Sequence, residues 1–151
     1  MTENGVMSER FEFGSSQWFD LAHRTLESLR PKVLKELDGR EFSVCEVYEN
    51  VPRHLAPDQD GRIAWHFRFR QGALEFGKHE VDDVDFKLVI DYATVVPLAK
   101  VHYENDPGAS KLIQQLSRNA IAAGKMTVKG TTTHAPASLA RLHDALAERT
   151  L

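Results

Sequence analysis

One cysteine, Cys45, is the only thiol in this chain, so no intrachain disulfide can form and the fold must hold by packing alone, as suits a reducing compartment. No apolar stretch approaches the roughly 20 consecutive residues that span a bilayer, which excludes an integral segment and leaves only transient contact with a membrane surface. Met1 to Arg10 is polar, carrying Glu3, Asn4, Ser8 and Glu9, and lacks the apolar run of a secretory signal; a cytoplasmic location is expected. Positive charge is not in excess. Nineteen Lys and Arg residues against 22 Asp and Glu leave a formal charge of -3, with no basic field for polyphosphate, which argues against nucleic acid as a partner. What is present is 151 residues, 42% hydrophobic and 27% charged, an ordinary globular composition with enough chain for one apolar core. The expected organisation is a mobile leader over 1–14 and one domain over 15–151.

Hydrophobic periodicity places the elements. Ser15-Ser16 offers hydroxyl caps for a first helix, on which Phe19, Ala22, Leu26, Leu29 and Val33 form one apolar stripe; Pro31 is expected to end it near Leu29 or kink it. Phe42 to Glu49 reads as a strand, and Asn50 to Gly61, with Pro52 and Pro57, as a loop. Arg62 to Arg70 alternates clearly. Ile63, Trp65, Phe67 and Phe69 share one face, while Arg62, Ala64, His66, Arg68 and Arg70 share the other. Gln71-Gly72 turns the chain into a strand over Ala73 to Gly77, and Phe86, Leu88 and Ile90 repeat the alternation. In the second half, Thr94 is expected to cap a helix containing Pro97, and Asp106-Pro107 to start another with Leu112, Ile113, Leu116, Ala120 and Ile121 inward. Gly124 suits the left-handed closing position, Met126 and Val128 mark a short strand, and Pro136 begins a last helix striped by Leu139, Leu142 and Leu146. The fold class implied is α+β, a mainly antiparallel mixed sheet of about five strands with helices on one face.

Catalytic patterns are scarce. There is no Gly-x-Ser-x-Gly elbow, and Cys45 lies within a strand rather than at a helix N-terminus that would lower its pKa, so it reads as a small core residue. Seven histidines are scattered without metal-ligand spacing, and the acidic loop holding Glu80, Asp82, Asp83 and Asp85 lacks the calcium-loop register; it reads as a solvated turn. No catalytic residue, metal or cofactor is expected. The stripe Trp65, Phe67, Phe69 is open to two readings, the core face of a covered sheet or one wall of an apolar pocket, because both use the same residue types.

From about Val81 onward the order of features resembles the sterol carrier protein type 2 family. An acidic lead-in, Asp83-Val84-Asp85, runs into the strand Phe86-Lys87-Leu88-Val89-Ile90-Asp91; a helix containing Leu98 follows; Gly124-Lys125-Met126-Thr127-Val128-Lys129-Gly130 then feeds the terminal helix. Gly130-Thr131 stands where the family often has Gly-Asp. The resemblance implies a lipid-binding fold enclosing an apolar tunnel, hence non-enzymatic binding of a fatty acyl chain, acyl-CoA, sterol or related lipid, as carrier or as accessory to a lipid-metabolising enzyme. The expected lining is Trp65, Phe67, Phe69, Phe86, Leu88, Leu112, Leu116, Leu139, Leu142 and Leu146, and a homodimer is compatible with the fold. Two other readings stay open: a small α+β enzyme with a His/Asp acid-base pair facing a closed pocket, and a ligand-free interaction subunit with a solid interior and an exposed apolar patch.

Overall fold

The structure, a computed structural model, describes residues 9–151. Residues 1–8, the larger part of the expected leader, lie outside the described residues. The rest of that leader is not loose: Phe13 is 3% exposed in the core, and the Phe11 amide donates to the Arg149 carbonyl at 2.8 Å while its own carbonyl accepts from the Leu151 amide at 2.9 Å. Two aromatic residues with apolar neighbours to pack on explain why Phe11 to Gly14 join the body rather than precede it.

Helix α1 covers Ser16–Leu37. The Ser15 hydroxyl accepts from the Trp18 amide at 3.2 Å, the cap that the sequence suggests. Pro31 does not end the helix. It stands on the exposed side, where the carbonyl freed four residues earlier belongs to exposed Glu27, and beyond it the fully buried Val33 and Leu37 continue the apolar stripe. Tertiary burial outweighs the local penalty.

Five strands follow: β1 (Phe42–Glu49), β2 (Ile63–Arg70), β3 (Ala73–Gly77), β4 (Phe86–Asp91) and, later, β5 (Met126–Gly130), in spatial order β3-β2-β1-β4-β5. The β1/β4 pairing is parallel and the others are antiparallel, so the sheet is mixed as expected. Register sets an inner row: Glu46 lies opposite Trp65 on β2 and Leu88 on β4, with Val44 opposite Phe67 and Phe86. The helices α1, α2 (Tyr92–Ala99), α3 (Ala109–Ala122) and α4 (Ala140–Glu148) supply the second layer, and a turn of 3-10 helix at Ala137–Leu139 leads into α4. Two helix starts differ from expectation. Helix α2 begins right after Asp91 at the end of β4 rather than at Thr94, and α3 begins two residues after Pro107, because the Asp106 carboxylate accepts from the Gly108 amide at 2.9 Å and closes a turn before the helix instead of capping it. Among the described residues no helix is long and apolar enough to cross a membrane.

Two glycines hold the β5 end of the sheet. Gly124, at φ +74°, reverses the chain after α3, and Gly130, at φ +82°, passes so close to β4 that a Cβ would fall 2.0 Å from the Asp85 carbonyl oxygen. The acidic loop before β4 is more than a solvated turn. Lys87, buried on the outer face, pairs with Glu80 and Asp82, and the Asp85 carboxylate accepts from the Ser43 amide at 2.8 Å and its hydroxyl at 3.1 Å. This clamp covers the side of β1 on which Cys45 is fully buried.

Candidate functional site

Between the inner sheet face and the helices α2, α3 and α4 lies a pocket of about 460 Å³. Alternation along the strands supplies its floor: Phe42, Val44 and Glu46 from β1, Trp65 and Phe67 from β2, Phe86 and Leu88 from β4, and Met126 from β5. Its roof comes from Val95 and Leu98 of α2, Ile113 and Ser117 of α3, and Leu139, Leu142, His143 and Leu146 around α4, while Phe13 and Trp18 border it from the N-terminal side. Two larger depressions, of about 590 and 640 Å³, are lined in part by charged side chains such as Arg62, Lys78 and Glu80, or Lys32, Lys35 and Arg141. The apolar pocket is the one that lies between the sheet and the helices.

Seven of the expected lining residues meet here: Trp65, Phe67, Phe86, Leu88, Leu139, Leu142 and Leu146. Three do not. Phe69 is fully buried in the packed core, where it lies opposite Phe42 on one side and Leu74 on the other. Leu112 points away from the pocket and is 41% exposed, and Leu116 packs against the core without reaching the pocket. The cause is a phase error on α3: one residue is about 100° of helical turn, so a stripe read from Leu112 is displaced from the true inner line through Ala109, Ile113 and Ser117.

The pocket is not wholly apolar. Glu46, flanked on its face by Val44 and Tyr48, is half-buried and borders the cavity. The Trp65 indole N–H donates to the Tyr48 hydroxyl at 2.7 Å, and that hydroxyl donates to Glu46 Oε1 at 2.5 Å. Burial pushes the Glu46 carboxyl up, and the nearby Tyr48 and Trp65 donors offset this only in part; burial and the adjacent Glu46 raise Tyr48 well above the usual phenol range. His143 also lines the pocket, half-buried. Burial lowers its pKa against the opposing pull of its hydrogen bond, in which Nε2 donates to the Val101 carbonyl at 2.7 Å, so the neutral ring is favoured. Among the described residues no lysine or arginine lines the pocket.

Glu46 is the functional candidate that sequence reasoning missed. Its signal was a single charged residue at an inner position of a strand otherwise rich in apolar and aromatic side chains. The remaining chemistry-bearing residues do not converge: among the described residues no group of three His, Cys, Asp or Glu side chains could hold a metal ion, and His66 is tied to the His79 carbonyl at 3.0 Å on the outer face.

No protein-family profile matches the chain, and no curated protein matches it significantly. Among solved structures it is similar to sterol carrier protein 2 from Yarrowia lipolytica in its apo form, with 14% identity, 93% of this chain and 97% of that one covered, and a TM-score of 0.47. It is also similar to the UbiJ-SCP2 ubiquinone synthesis protein, with 15% identity, 81% and 76% covered, and a TM-score of 0.37. The likeness is one of fold. At such identities and scores neither protein's family nor its ligand transfers to this chain.

Proposed function

We propose that the protein binds a hydrophobic small molecule in the pocket between sheet and helices and holds it without transforming it. The observation that carries this reading is the pocket itself. It lies between two apolar layers, and its volume of about 460 Å³ falls within the roughly 300–1,000 Å³ usual for ligand sites, which supports an apolar occupant. It also speaks against the interaction-subunit reading, which requires a solid interior. Trp65, Phe67, Phe86 and Leu88 would form the floor against a chain or ring system, and Leu139, Leu142 and Leu146 the roof.

Native mass spectrometry of the purified protein, followed by solvent extraction, tests this directly: a retained lipid, recovered unaltered after incubation, is the expected result. Each methylene buried contributes about 0.8 kcal/mol, so affinity in a series of alkyl ligands, measured by calorimetry, should rise about fourfold per methylene until the pocket is full. No chain-length dependence and no retained ligand would mean that the aromatic floor is simply core.

One observation favours a second reading. Glu46 and His143 border the same pocket and both titrate away from their ordinary values, which is the kind of placement an acid-base enzyme uses. No hydrogen bond joins them among the described residues, and the His143 Nε2 proton is committed to Val101. Recovery of a chemically changed ligand would move the assignment to this reading.

A further inference from the structure

The hydrogen bonds around Glu46 are ordered in one direction. Trp65 has a single N–H and spends it on the Tyr48 oxygen; Tyr48 has a single O–H and spends it on Glu46 Oε1. Glu46 Oε2 has no hydrogen-bond partner among the described residues, and the side chain borders the pocket in the middle of the apolar row formed with Trp65 and Leu88. That oxygen is open to solvent through the pocket, so an apolar occupant that displaces the water leaves it unpaired unless the ligand itself completes its hydrogen bonding. Resting on the apolar-ligand reading above, we propose that Glu46 is the head-group acceptor of this pocket and selects a ligand ending in an uncharged hydroxyl over one ending in a carboxylate.

The chemistry discriminates among head groups. A hydroxyl both donates and accepts, so it satisfies Oε2 whether Glu46 is ionised or protonated. A ligand carboxylate meets a second carboxyl with no lysine or arginine in the lining to neutralise it and with His143 held neutral, so one of the two acids must take up a proton before both can stay. An alkylammonium would bring a buried ion pair, whose desolvation offsets its attraction. The apolar walls provide affinity for all three classes alike; Glu46 provides the difference.

The test compares 1-decanol, decanoate and decylamine by calorimetry at neutral pH on the full chain and on the Glu46→Gln and Glu46→Leu variants, with the melting temperature of each variant as a check on folding. In the unaltered protein the alcohol should bind about tenfold or more tighter than the acid, a difference of about 1.4 kcal/mol. Glu46→Gln, whose amide can donate to a carboxylate, should bring the two within a few fold, and Glu46→Leu should weaken the alcohol while sparing decane. Equal binding of alcohol and acid, a ratio unchanged in Glu46→Gln, or decylamine as the tightest ligand would overturn the head-group assignment and leave the apolar pocket standing. Failure of all three, and of decane, to bind the unaltered protein would overturn the pocket reading itself. Should Glu46→Leu fail to fold, the near-isosteric Glu46→Gln still decides the question.

Discussion

Glu46 occupies an inner position of β1 that alternation alone would give to an apolar side chain. Its carboxyl is raised in the folded protein, so the folded state holds a proton that the unfolded chain gives up at the ordinary glutamate value of 4.5. The stability this group contributes is therefore fully present below that value and is lost as pH rises towards the raised folded pKa. Glu46→Gln removes that loss. Its melting temperature should exceed that of the unaltered protein at neutral pH, corresponding to about 1 kcal/mol, a common size for relief at a functional position, and the advantage should disappear in acid. A Glu46→Gln protein less stable than the original at neutral pH would show that the carboxylate is structurally required. Residue-scale legibility was uneven for related reasons: Trp65, Phe67, Phe86 and Leu88 could be placed because a strand has only two faces, whereas Leu112 and Ile113 compete for one helical line and the buried Ala109, which sets the phase of α3, carries little hydrophobic signal.

Helix α1 shows how an element can overrule its own sequence. A proline inside a helix costs about 3 kcal/mol relative to alanine, yet α1 runs through Pro31 because Val33 and Leu37 are fully buried beyond it. Replacement Pro31→Ala restores the missing amide donor on an exposed face and should raise the urea midpoint, with an unfolding free energy greater by about 1 to 3 kcal/mol once the greater freedom of the unfolded alanine chain is discounted. An unchanged or lowered midpoint would mean that the proline fits a local bend that packing needs. The early start of α2 and the late start of α3 were hidden for a different reason. Asp and Thr serve caps and turns equally well, so the choice between Asp91 and Thr94, or between a cap and a turn at Asp106, is settled by where the neighbouring strand ends and where the next apolar side chain is buried.

At the scale of the whole molecule, the two described ends of the chain are joined. Thr150, 2% exposed, accepts from the Trp18 indole N–H at 3.1 Å and donates to the Leu146 carbonyl at 2.6 Å, next to the short pairing of Phe11 with Thr150. Thr150→Val keeps the shape and leaves the Trp18 N–H without a partner, so it should lower the unfolding free energy by about 1 to 3 kcal/mol, read as a lower urea midpoint with the slope of the transition unchanged. A change near zero would mean that water or a local shift satisfies the indole. Neither this clasp nor the parallel β1/β4 pairing could be read along the chain, since both join residues whose separation leaves no periodic trace, whereas the five strands and the helical layer follow from local pattern.

Trp18 and Trp65 are the only two tryptophans in the sequence, and both border the same pocket. The ultraviolet emission of the native polypeptide therefore originates almost entirely at that one place. One indole is polarised by the Tyr48 oxygen and the other by Thr150, so each has a fixed dipolar neighbour against which a new occupant would register. The chain carries its own optical gauge of whether the space between its layers is filled.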